Sequence, residues 1–233
     1  MLKYFTILLL ILALTESINS ATCYIPQKLD HKKSGDEGYS DKMGCRKAYI
    51  HKFWDDFNMM KFQWNDGFGY YDVCNNDLPL ARIMNAIFVL YGTKYSNERN
   101  SILNWAYDYA EGDISTLSAA CGDGTLNARN ILTTVTFFMP GLYGGKSVIR
   151  RAGIILHEAR HTRRIHNGWG NCPSGGSCDS TWEYKGANQY HVLWLWWFGL
   201  KSKNTSQALK NDALRDARWR HDNRFNTNPG KNI

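Results

Sequence analysis

The sequence predicts an α+β fold: mostly helical, with a small sheet beside the helix that carries the candidate active site, and disulfide-bonded. Three observations lead there. Apolar residues recur at helical spacing along most of the second half and in three stretches of the first. A single stretch, Ile131 to Met139, is dense in β-branched and aromatic residues and reads as a strand. Six cysteines, Cys23, Cys45, Cys74, Cys121, Cys172 and Cys178, all follow an N-terminal apolar run.

That run sets the compartment. Lys3 gives a positive start, Phe5 to Leu14 carry no charge, and Thr15 to Ser20 are mostly small or polar. This is the layout of a secretory signal peptide over residues 1–20, with Ser20 before the cut. The apolar run is about half the roughly 20 residues a membrane-spanning helix needs, so no transmembrane segment is expected after cleavage. Residues 21–233 then form a single domain, because no Gly/Ser or Pro tract and no repeat divides them. An even cysteine count in an exported chain implies three disulfides, for which six cysteines allow 15 pairings. Cys172 and Cys178 suggest each other, because Pro173 and Gly175-Gly176 make a tight loop between them. Asn204-Thr205-Ser206 is a glycosylation acceptor if the cell is eukaryotic.

Residues 21 to 47 are polar and read as loop. Ala48 to Phe62 has Ile50, Phe53, Trp54 and Phe57 at near-helical spacing. Asn65 to Asn76 is rich in Gly and Asn and reads as turns without the spacing of a calcium loop. Leu80 to Tyr91 reads as a buried helix. Ser101 caps a helix to Ala110. Cys121 to Gly124 is a turn, the strand at Ile131 to Met139 follows, and Pro140-Gly141 ends it. Ser147 caps a helix from Val148 to Arg163 or Arg164. Ser180-Thr181-Trp182-Glu183 fits a capping box opening a helix to Leu200, apolar nearly all round and therefore a core helix. A last amphipathic helix covers Gln207 to His221.

The chemistry lies in His157-Glu158-Ala159-Arg160-His161. Four residues advance a helix by about 400°, so the two imidazoles stand about 40° apart on one face and can reach one zinc ion. Glu158 lies beside them, placed to accept a proton from water at the metal and to return it to a leaving amine. The third ligand is open. On a continued helix His166 would point about 180° from His157, so it can ligate only if the helix breaks near Arg164; Asn167-Gly168 makes a break plausible. Glu183, 22 residues after His161, and Asp179 are the other options. The bland reading of the motif is a solvated basic helix with Glu158 paired to Arg150 or Arg151. His31, His51, His191 and His221 lie in no ligand spacing and read as surface or core-edge residues.

The motif, with an apolar lead-in at Ala152 to Leu156 and a β-type segment before it, resembles the zincin superfamily of HExxH metallopeptidases. Such a resemblance implies a zincin-like domain, an active-site helix, Zn2+ held by His157, His161 and His166, Glu158 as catalytic base, and a peptide or protein substrate. It implies also that Thr134 to Phe138 is an edge strand that binds the substrate backbone. More narrowly, the chain looks like poorly characterised secreted bacterial proteins. They share a His-Glu-Ala-Arg-His helix, a following His and a Cys pair, read here as His157 to His161, His166, Cys172 and Cys178-Asp179; Gly186-Ala187 also fits. The likeness covers residues 130 to 200. Arg160 and Arg163 depart from the uncharged residues that strict zinc-peptidase patterns prefer.

Two functions compete with a secreted zinc peptidase. One is a secreted disulfide-rich binding protein with a structural or absent zinc; the other is a basic nuclease using histidines. The net charge of +7, concentrated at Lys146 to Arg164 and from Lys201 onward, would let anionic surfaces bind through basic patches, but no nucleic-acid motif accompanies it. Neither the substrate nor the oligomeric state is legible in the sequence.

Overall fold

The computed structural model describes residues 46–64, 66–75, 78–95, 100–139, 141–142, 146–168, 172–203 and 205–233. The signal segment, His31, Cys23, Cys45 and Asn204 lie outside them, as does the predicted loop up to residue 45. The fold is α+β. Six helices are described: α1 (Lys47–Asp56), α2 (Pro79–Thr93), α3 (Ile102–Asp113), α4 (Val148–His161), α5 (Ala187–Lys201) and α6 (Gln207–Asn223). Three strands, β1 (Thr116–Cys121), β2 (Ala128–Ile131) and β3 (Thr134–Met139), form one sheet in the order β1-β3-β2. β1 runs parallel to β3, with Thr116 opposite Thr134; β2 runs antiparallel to it, with Ile131 opposite Thr134.

The strand predicted at Ile131 to Met139 is the second half of a hairpin. Ile131 ends β2, Leu132 and Thr133 turn, and β3 begins at Thr134. Along β3, Val135, Phe137 and Met139 face the core while alternate residues are half-buried, the period expected of a pleated strand. The sheet order overturns one expectation: Thr134 to Phe138 lies between two partners and cannot accept a substrate strand. The edge beside the motif helix is β2, whose Asn130 side chain donates to the Glu158 carbonyl at 2.7 Å.

Helix α4 is the centre of the molecule. Eleven of its 14 residues are buried, and it packs on α2, α3, α5, α6 and β2. Val148, Ile149, Ile154, Ile155 and Leu156 each contribute roughly 1.5–3 kcal/mol by leaving water. That sum dwarfs the cap at Ser147, whose hydroxyl accepts from the Arg150 amide at 3.4 Å. A solvated surface helix is therefore excluded. Nor does Glu158 pair with either arginine: Arg150 faces Asp216 at 3.6 Å, and Arg151 donates to the Lys146 carbonyl at 2.6 Å. The Trp194 side chain is fully buried and Trp196 and Trp197 pack on the same core, in keeping with the core-helix expectation.

Two further expectations need correction. The capping box at Ser180 to Glu183 opens no helix to Leu200. Trp182–Tyr184 is a single 3-10 turn, Lys185 turns left-handed at φ 56°, and α5 starts only at Ala187. Cys172 and Cys178 are free thiols rather than a bridge. Each sulfur also has an oxygen acceptor: Cys178 Sγ lies 2.7 Å from Asn226 Oδ1 and 3.2 Å from the Gly168 carbonyl, and Cys172 Sγ faces the Asn223 carbonyl at 3.7 Å. Among the described cysteines no two are joined by a disulfide, so the expected bridges find no support there.

Candidate metal centre

α4 ends where the third histidine requires it to. Thr162 caps the helix, its hydroxyl and amide both donating to the Ala159 carbonyl, at 2.8 and 3.2 Å. The Arg163 and Arg164 amides both close on the Arg160 carbonyl, which tightens the last turn. The chain then leaves the helix and turns back. Tyr184 Oη holds the returning segment by donating to the Ile165 carbonyl at 2.7 Å, and Ser180 N donates to Asn167 Oδ1 at 2.8 Å.

The result brings His157, His161 and His166 together, with one ligand atom from each within 4.8 Å of the others. Ring centroids lie 4.8 Å apart for His157 and His161, 5.1 Å for His157 and His166, and 4.5 Å for His161 and His166. The Nε2 atoms of His157 and His161 face each other at 3.1 Å. His161 Nδ1 donates to the Arg164 carbonyl at 3.0 Å, which leaves Nε2 as its lone pair. His166 Nδ1 meets Asp179 Oδ1 at 2.8 Å, which turns its Nε2 the other way.

These residues fit a divalent metal. Burial, with His161 and His166 nearby, holds His157 well below the usual imidazole range. Burial also lowers His161 to about 4. Both rings are neutral at physiological pH and offer lone pairs. Two nitrogens at about 2.0–2.1 Å from one tetrahedral ion stand roughly 3.4 Å apart, close to the observed Nε2 separation. Among the described residues, no other group of three His, Cys, Asp or Glu side chains is so placed. The two remaining candidates fall elsewhere. Asp179 is fully buried behind His166, and Glu183 is exposed on the 3-10 turn, outside the cluster.

Glu158 follows His157 on α4 and is buried beside β2. Burial pushes its carboxyl up to about 8, opposed by a hydrogen bond from the Asn130 backbone. The Asn130 side chain holds the Glu158 carbonyl at 2.7 Å, a contact sequence reasoning missed. The only trace of it in the sequence is its place in the segment just before the predicted strand.

His191 was also missed as a neighbour of the site. It is buried on α5 with its ring 5.8 Å from that of His157, and it lies in an otherwise apolar helical run with no ligand spacing to betray it. The ring fits because residue 153 is glycine; a Cβ there would collide with the imidazole. Of the other histidines, His51 is exposed, and His221 is buried with Nδ1 2.8 Å from Asp222 Oδ1.

The two arginines that depart from zinc-peptidase patterns are turned away from the histidines. Arg160 donates to the Lys185 carbonyl at 2.8 Å and to Tyr109 Oη at 3.2 Å, and stacks on Tyr190. Arg163 makes a bidentate pair with Asp113, its Nε and Nη2 both within 3.0 Å of the carboxylate. Their charges serve the packing of α3, α4 and α5, and much of the basic excess at Lys146 to Arg164 is engaged internally in the same way. No helix of the described residues is long and apolar enough to cross a membrane.

Family models, curated proteins and solved structures, each compared with the chain, give no match, so the side chains and their geometry alone carry the functional reading.

Proposed function

We propose that the chain is an exported zinc-dependent peptidase of the zincin type, in which His157, His161 and His166 hold Zn2+ and Glu158 is the catalytic base. The convergence of three histidines from a helix end and its returning loop, with a buried carboxyl one residue away, carries the reading. Zinc, when bound, supplies a Lewis acid that polarises a peptide carbonyl and acidifies a water.

The chain's own groups do the rest. A nearby cation favours the ionised form of Glu158, bringing a carboxyl that sits at about 8 down into its basic form at neutral pH. Glu158 then takes the proton of the attacking water and returns it to the departing amine. Asn130 anchors β2 to α4 by donating its side-chain amide to the Glu158 carbonyl. β2 is an edge strand of the sheet, so an extended peptide would pair beside it. His157 Nδ1 is buried without a hydrogen-bond partner among the described residues, so packing holds that side of the ring. The N-terminal apolar run supports export.

The experiment is digestion of a mixed peptide library by wild type and Glu158→Gln, with zinc measured on the same samples. Gln keeps the size of Glu and is no ligand, so zinc should be unchanged. Hydrolysis should fall by at least about 10²-fold, the lower end for general acid–base catalysis. Equal cleavage by both forms would refute the mechanism. Zinc bound with no cleavage by wild type would favour a binding protein with a structural metal.

A further inference from the structure

Asp179 is an unusual carboxylate for its place. It is fully buried, and among the described residues no lysine or arginine pairs with it. Its Oδ1 meets His166 Nδ1 at 2.8 Å and its Oδ2 accepts from the Asn188 backbone at 2.9 Å, in the first turn of α5. Its own backbone is clamped from both sides: its N–H donates to the Arg224 carbonyl at 3.2 Å, and its carbonyl accepts from Asn226 N at 3.0 Å. Gly186, the residue before α5, makes room for it. A Cβ at 186 would stand 2.5 Å from the carboxylate carbon and from both oxygens. Three elements therefore converge to keep one acidic group against one imidazole. A buried carboxylate costs several kcal/mol unless its lone pairs are used, and here they are used on a helix N-terminus and on a histidine.

We propose that Asp179 is a positioning residue that selects the Nδ1–H tautomer of His166 and so presents its Nε2 to the metal. This rests on reading the histidine triad as a zinc site. A carboxylate behind a ligating imidazole fixes both ring orientation and tautomer. A competing donor is present, the Asn188 side-chain amide, 3.4 Å from the same Nδ1. Were it to win, Nδ1 would be the acceptor and Nε2 would carry the proton, which closes it to a metal. The geometry decides for Asp179: its oxygen stands 2.8 Å from Nδ1, well inside the 3.4 Å of the Asn188 amide.

Asp179→Asn tests this directly. Asn has one acceptor oxygen for two donors, the Asn188 N–H and the His166 Nδ1–H. The new NH2 must face one of them, and facing His166 it inverts the tautomer. Two readouts are needed. Nitrogen-15 NMR of the metal-stripped protein reports which His166 nitrogen is protonated, and chelator competition reports Zn2+ affinity. Wild type should show the Nδ1–H form. Asp179→Asn should shift His166 towards Nε2–H and weaken zinc 10–100-fold. Gly186→Ala is the second variant. It keeps the carboxylate but crowds it, at a φ of −82° that alanine adopts freely, so it should weaken zinc in the same direction. In a His166→Ala background, Asp179→Asn should have no further effect on affinity.

An unchanged tautomer with affinity within 2-fold of wild type overturns the proposal. So does a loss of affinity that persists undiminished in the His166→Ala background, since Asp179 would then act elsewhere. The tautomer is read without metal or substrate, so a protein that binds zinc but cleaves nothing fails the peptidase reading alone.

Discussion

Glu158→Gln should make the metal-free protein more stable than wild type, and by an amount that grows with pH. The structure places this carboxyl in the packed interface of α4 and β2, where burial raises it from an ordinary 4.5 to about 8. The folded state thus binds the Glu158 proton more tightly than the unfolded chain does. The stability this gives is fully present below about 4.5 and is lost as pH rises to about 8, beyond which the loss is complete. A gap of this size sets an upper bound of about 5 kcal/mol, at about 1.4 kcal/mol per unit. Relaxation around the charged carboxyl and the Asn130 N–H should leave a few kcal/mol of it. Gln does not titrate. Urea unfolding of chelator-treated protein, followed by tryptophan fluorescence between pH 4.5 and 9, should therefore show a Gln-minus-Glu difference that is small at the acid end and favours Gln at the alkaline end. The shifts at His157 and His161 act below pH 6.5 and are common to both forms, so they cancel. Saturating zinc should shrink the alkaline difference, because a cation nearby stabilises the carboxylate. A difference independent of pH would refute the buried-carboxyl argument.

Gly153→Ala should destabilise the protein by about 1–3 kcal/mol, since the added methyl collides with the buried His191 ring; chemical denaturation at pH 7 measures it. Leu132→Gly should leave stability unchanged or raise it by up to about 1 kcal/mol. Leu132 turns the β2–β3 hairpin at φ 61° with its side chain 85% exposed, so it carries left-handed strain and little packing; a melting curve against Leu132→Val, expected to be worse than wild type, checks it. Phe137→Ala, at a fully buried position on the central strand, should cost about 3–5 kcal/mol by the same unfolding assay.

The helices were legible because their signals are local. Ser147 and Ser206 both accept from the amide three residues on, and the apolar spacing of α2, α3, α4 and α6 places them within a few residues of expectation. The sheet was legible only where it is most buried. β3 alternates cleanly, but β1, of equal length, does not alternate, and β2 has only four residues. Ala128 to Ile131 reads Ala-Arg-Asn-Ile, a pattern that acquires meaning only from its partner strand. Within the site, His157, Glu158 and His161 follow from helical spacing alone. His166 depended on whether the chain left the helix, and the decision lies with Thr162 and the Arg160 carbonyl rather than with Asn167-Gly168. Asp179 was weighed as a ligand and stands instead behind His166. Its place is set by contacts across 13 residues to His166 and by a bridge to the C-terminal segment, neither of which has a sequence period.

The most direct test of the metal centre is the zinc content of purified protein, wild type beside a His157→Ala, His161→Ala double variant, each dialysed against the same buffer containing excess zinc and then against buffer alone. With the three histidines converging on one ion, wild type should retain one zinc per chain and the double variant essentially none, while both keep their helical content by circular dichroism. Equal zinc in the two folded proteins, or none in wild type, would contradict the site.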